Sequence, residues 1–122
     1  MARTILIVGN SDGIGLALTR ALLARGDTVV GISRSPSPLG HSGPRHEVCD
    51  VLDPRLEPLV RAIDSDVSGL DACVYCAGIG SDLTLPDLSR EAQVIGVNLT
   101  GAVRVMETLV PRWLSRGRGH FV

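Results

Sequence analysis

The chain has 122 residues, 44% of them hydrophobic, a size and composition that suit one domain with its own core. A formal net charge of -1 provides no basic stripe for a phosphate backbone, which argues against nucleic acid as a partner. The apolar runs fall well short of the roughly 20 residues of a bilayer span, and no charged-apolar-small leader opens the sequence, so no membrane partner and a cytoplasmic location are expected.

In chain order, Thr4-Ile5-Leu6-Ile7-Val8 is a continuous β-branched run that ends in glycine, as a strand buried on both faces of a parallel sheet would. From Gly13 to about Arg25, Ile14, Ala17, Leu18, Ala21 and Leu22 recur at helical spacing, and Gly26 stops that helix. Thr28 to Ser33 predicts a second buried strand, followed by a Ser, Pro and Gly-rich loop over 35–44. His46 to Cys49 reads as a weaker third strand. Arg55 to Asp64 carries Leu56, Leu59, Val60 and Ile63 on one helical face. Asp71 to Tyr75 predicts a fourth strand. A long helix is expected from about Ser89 to Ser115, capped by Asp87 or Ser89 and ended by Gly117 and Gly119. His120-Phe121-Val122 begins what reads as a fifth strand. Strands alternating with helices in this way predict right-handed crossovers and an α/β, doubly wound parallel sheet of Rossmann-like type, one domain over residues 1–122 with strand order 3-2-1-4.

Directly after the first strand comes Gly9-Asn10-Ser11-Asp12-Gly13-Ile14-Gly15. A strand-to-helix turn aims free backbone N–H groups and the positive end of a helix at one spot, and small residues let a diphosphate approach the backbone. These seven residues are therefore candidates for holding a dinucleotide. The spacing is G-x-x-x-G-x-G, without the Lys of a P-loop.

Three further motifs follow in order: Asp50-Val51 after the third strand, Tyr75-Cys76-Ala77-Gly78 after the fourth, and Val97-Asn98-Leu99-Thr100-Gly101 inside the long helix. Together with the glycine loop this set resembles the short-chain dehydrogenase/reductase family over essentially the whole chain. The resemblance implies that Asp50 and Val51 flank an adenine, that Cys76, Ala77 and Gly78 border the cofactor, and that Asn98 matches a catalytic-site asparagine. Two departures stand out. The family's threonine before the first glycine is Val8 here, and its asparagines before Ala-Gly are Tyr75 and Cys76. Since Cys76 has no side-chain amide, hydrogen bonds that support this loop must come from elsewhere.

Cofactor choice rests on the end of the second strand. Dehydrogenases that hold the two ribose hydroxyls of NAD place an acidic residue there. In this sequence Ser33, Arg34 and Ser35 occupy the position, a guanidinium flanked by hydroxyls, so NADP(H) is favoured over NAD(H).

In the family a tyrosine delivers the proton for carbonyl reduction and a nearby lysine tunes it, in a Tyr-x-x-x-Lys motif that would lie past Val122. All twelve basic residues of this chain are arginines, and its one tyrosine is Tyr75 in the fourth strand. Arginine is a poor replacement, because its pKa stays above about 12. The expected function is thus the cofactor-binding portion of an NADP(H)-dependent alcohol/carbonyl oxidoreductase, inactive as this chain alone. A non-catalytic module that binds a dinucleotide or a protein partner is the alternative. The substrate is not legible. Self-association is expected through an uncovered sheet edge and the apolar face of the helix from Val94 to Leu114.

The remaining polar residues have plainer readings. Cys73 and Cys76 lie three apart on a strand and point to opposite faces, so with Cys49 they read as structural thiols rather than a redox or metal pair. His41, His46 and His120 lack ligand spacing, and no metal site is expected. Asp64 and Asp66 read as capping or solvated carboxylates at a helix-to-strand turn.

Overall fold

A computed structural model describes every residue except 82 and 84–86. Four parallel strands, β1 (Thr4–Val8), β2 (Thr28–Ser33), β3 (Arg45–Val48) and β4 (Ala72–Tyr75), form one sheet in the order β3-β2-β1-β4. Between them run α1 (Gly13–Ala24) and α2 (Leu56–Asp66), and after β4 come α3 (Arg90–Ile95) and α4 (Gly101–Arg116). This is the expected α/β, doubly wound sheet. Phe121 makes a parallel bridge to Cys73, so a fifth strand begins where the sequence pattern puts it, beside β4.

Side chains alternate across the pleat of β1 and thereby feed two cores. Leu6 and Val8 point to the side covered by α2 and α4, where they join Ile32, Val60, Ile63, Val105, Leu109 and Trp113. Ile5 and Ile7 point to the opposite side, against Leu22 of α1 and Val29. Each large aliphatic side chain so buried is worth about 1.5–3 kcal/mol. The same alternation separates the thiols: Cys73 lies in the first core, whereas Cys76 packs against the second.

Helix α4 is stapled to its surroundings by polar groups as well. The buried indole of Trp113 donates to the Leu70 carbonyl at 2.8 Å. Asp64, on α2, corrects the expectation of a merely capping or solvated carboxylate: its side chain is 0% exposed. It accepts from Arg112 Nε at 2.5 Å, from both terminal nitrogens of Arg116 at 2.9 Å, and from the Leu70 backbone N–H at 2.8 Å. The sequence hid this because both arginines lie about fifty residues away. Asp66 stays exposed and pairs with Arg45 at 3.1 Å.

Burial alone would raise the Asp64 pKa, but the Arg116 hydrogen bonds, the Leu70 amide and Arg112 outweigh it and hold the carboxyl at about 2. The depressed value means that this stabilisation, on the order of 2 kcal/mol, is present above the unfolded-state value near 4 and is lost as pH falls towards 2. Asp64→Asn should cost about 3 kcal/mol at neutral pH, because two arginines lose their shared partner. Urea denaturation from pH 7 down to 2 checks both points: the wild-type midpoint should fall across the acid range, and the variant should lose much of that dependence.

Candidate dinucleotide cleft

The carboxyl ends of β1, β2, β3 and β4 open into one cleft, the place where parallel α/β sheets take ligands. Its floor at β1 exists because Gly9 has no side chain. Gly9 has φ +88°, and a Cβ there would stand 2.6 Å from the Ala77 nitrogen, so the turn after β1 and the end of β4 touch backbone to backbone. Gly15 closes the same turn, since a Cβ on it would collide with the Gly9 carbonyl. At Gly13, φ +52° lies in the left-handed region that favours glycine, and open space lies where a side chain would be. Asp12 precedes α1 in extended conformation and makes no side-chain cap, which leaves the first-turn N–H groups for a ligand.

Eleven of the residues singled out in the sequence line this cleft together: Gly9, Ser11, Asp12, Ser33, Arg34, Ser35, Asp50, Val51, Cys76, Ala77 and Gly78. Gly13, Ile14 and Gly15 form the adjoining first turn of α1, with Ile14 81% exposed. Asn10 is turned the other way. It is 1% exposed, its amide is pressed over Gly31 of β2, and neither end of that amide finds a hydrogen-bond partner among the described residues. Four lining residues were not singled out as binders in the sequence: Ile32, Cys49, Ile79 and Val97.

At the β2 end, Ser33 is buried and its hydroxyl donates to the Ser35 carbonyl at 2.6 Å. His46 on β3 brings Nε2 to 2.9 Å from the same carbonyl and 3.1 Å from Ser33 Oγ. A carbonyl only accepts, so Nε2 carries the proton and the imidazole latches the turn. Between the two serines, Arg34 is exposed and forms no ion pair with any described residue. Its backbone is thus held at the rim while its side chain stays exposed. His46, expected at the start of the third strand, was given no part in the site, because only strand pairing brings β3 alongside the end of β2.

The β4 wall is braced from the long helix. Asn98 accepts from the Ile79 N–H through Oδ1 at 2.8 Å and donates through Nδ2 to the Ile79 carbonyl at 2.9 Å. This clamp, with the Cys76 N–H donating to Val8 O at 2.7 Å, supplies the loop support that Cys76 cannot.

The helix itself departs from the continuous α-helix expected over 89–115. Between α3 and α4, residues Gly96–Thr100 form a π-helical turn in which the Gly101 N–H reaches back to the Gly96 carbonyl. Widening frees the Val97 carbonyl from its ordinary partner, and Tyr75 Oη donates to it at 2.5 Å. Gly101 makes room, since a Cβ there would strike the Tyr75 hydroxyl. Burial pushes the phenol up to about 12. Tyr75 is therefore a structural donor, committed to the backbone beside the cleft.

Comparison with known proteins follows the same outline. The model of the family described as short chain dehydrogenase matches residues 3–122. An uncharacterized oxidoreductase of Myxococcus xanthus is 31% identical over 133 residues, covering 98% of this chain and 52% of that protein. ElxO with NADP bound superposes with a TM-score of 0.87 at 22% identity, covering 99% of this chain and 54% of that one. A short chain dehydrogenase from Leptospira borgpetersenii with bound NAD+ also reaches 0.87, at 20% identity, over 99% of this chain and 50% of that one. The chain thus spans about half the length of the proteins it matches.

Because the chain has one tyrosine, its ultraviolet titration reports Tyr75 alone. Absorbance of the phenolate should rise with a midpoint near 12 in the folded protein and near about 10 in urea. The raised value means that its contribution to stability is intact below the unfolded pKa and is lost as pH climbs through the folded one. Tyr75→Phe, which orphans the Val97 carbonyl, should cost about 1–3 kcal/mol in urea denaturation.

Proposed function

Because the chain belongs to the short chain dehydrogenase family, we propose that it is the cofactor-binding portion of an NADP(H)-linked oxidoreductase acting on an alcohol/carbonyl pair. The observation that carries the cofactor choice is Arg34: exposed, free of ion pairs among the described residues, and set at the cleft rim by the Ser33-Ser35 turn and its His46 latch. A guanidinium there suits a ribose 2'-phosphate, and no carboxylate occupies the end of β2 to hold a ribose 2'-hydroxyl. Ser11 and the backbone from Gly9 to Gly15 would take the diphosphate, Asp50 and Val51 the adenine, and Ala77 and Gly78 the middle of the molecule. The bare glycine backbone at Gly9 and Gly13 fits such a group. When bound, a nicotinamide supplies hydride chemistry.

In this reading Asn98 is a catalytic-site residue that acts by holding Ile79 at the cleft wall. The Tyr-x-x-x-Lys motif that delivers the proton in the family has no counterpart in these 122 residues. They include no lysine, and the hydroxyl of Tyr75 is given to the Val97 carbonyl. The polypeptide is accordingly proposed to bind NADP(H) without reducing a carbonyl.

NADPH should bind at least about tenfold more tightly than NADH, the difference expected for a charge-assisted phosphate contact. Calorimetric titration of both cofactors checks this, with Arg34→Ala expected to remove the difference. Equal affinities for the wild type would refute the NADP preference. Steady oxidation of NADPH with a carbonyl compound would refute the proposed inactivity.

Self-association is supported by an exposed apolar stripe along the long helix, Ile95, Leu99, Val103, Met106 and Leu114. No helix among the described residues is long and apolar enough to cross a membrane. Sedimentation velocity should show a concentration-dependent dimer that Leu99→Glu with Met106→Glu disperses; a monomer at high concentration would count against this surface.

A further inference from the structure

Arg104 lies on α4, yet its guanidinium reaches the turn after β3. It donates to the Val51 carbonyl at 2.5 Å and to the Asp53 carbonyl at 2.8 Å, and it pairs with both carboxylate oxygens of Glu57, through Nε at 3.0 Å and through Nη2. The side chain is 19% exposed. Two backbone carbonyls and a carboxylate thus share one planar fork, a geometry that a lysine cannot reproduce.

The turn it grips carries the cleft wall. Cys49, Asp50 and Val51 line the cleft, and within the turn the Leu52 N–H donates to Asp50 Oδ1 at 2.9 Å while the Asp53 N–H donates to the Asp50 carbonyl at 2.9 Å. Pulling Val51 and Asp53 towards α4 therefore sets where Asp50 and Val51 stand. Arg112 and Arg116, further along the same helix, bind Asp64 and touch no residue of the cleft. They serve as controls for a guanidinium on the same helix that does not reach the cleft.

We propose that Arg104 is a positioning residue for the adenine end of the cleft, holding the Val51–Asp53 turn in the shape that receives the base. The proposal rests on the cofactor reading given above. Ligand binding pre-organised in this way loses affinity when the support is removed, without any contact to the ligand having been deleted.

The test uses 2',5'-ADP, which carries the base, and inorganic pyrophosphate, which would engage the glycine loop alone. Arg104→Met should weaken 2',5'-ADP about tenfold, the scale of a lost charge-assisted hydrogen bond, and leave pyrophosphate affinity within about twofold. Glu57→Gln, which keeps the guanidinium and its two carbonyl contacts, should retain most of the 2',5'-ADP affinity and covers the case in which Arg104→Met fails to fold. Arg112→Met should lower the urea midpoint while leaving both affinities unchanged. Equal loss of both ligands in Arg104→Met, or in Arg104→Lys if the Met variant is unfolded, assigns Arg104 a purely structural role and overturns the proposal. Failure of the wild type to bind 2',5'-ADP at all would instead overturn the cofactor reading beneath it.

Discussion

Backbone meets backbone where the turn after β1 crosses the end of β4. Gly9 stands so close to Ala77 that any Cβ would push the two strands apart, and Gly15 is held under the Gly9 carbonyl in the same way. This contact sets the height of the cleft floor and the direction in which α1 leaves it. With β4 displaced, the Ala77-Gly78-Ile79 wall would move away from the glycine loop, and the Asn98 clamp would lose its register on Ile79. A single methyl group excluded at residue 9 thus connects local backbone geometry to the shape of the binding site.

The long helix then ties the walls together. Through its π-helical turn it offers the Val97 carbonyl to Tyr75 and the Asn98 amide to Ile79, and two turns later it sends Arg104 to the opposite wall. Arg112, Arg116 and Trp113 fasten its far end to Asp64 and Leu70. Asp64 is fully buried, so its removal leaves two arginines without their shared partner, whereas loss of either arginine leaves it held by the other.

Periodicity made most of the architecture readable. β1 and β2 fall over the residues where the β-branched runs lie, Gly26 and Gly117 end their helices in positive-φ conformations, and the strand order follows the expected 3-2-1-4. Boundaries drifted at weaker signals: β3 begins at Arg45 rather than His46, and α2 continues to Asp66. The cleft was legible because its glycines shape the local turn through positive φ and the Gly9–Gly15 approach, even though Gly9 also clears Ala77 across the fold. Asn10 shows the limit of that logic. It sits inside the motif, but its side chain turns under the sheet towards Gly31, a neighbour whose proximity arises from the pairing of β1 with β2.

Local constraints, then, are written in the order of residues: which segments can be strands or helices, where the chain must turn, that the glycine loop leaves backbone bare, and that an arginine takes the place of a carboxylate after β2. Contacts across the fold carry no such record. His46 latching Ser35, Arg104 gripping the Val51–Asp53 turn, Asp64 shared by two arginines and Tyr75 completing a widened helical turn each join groups distant along the chain or on different elements. Their partners are chosen by packing, because a buried polar group must find whatever complementary group the assembled layers bring within reach.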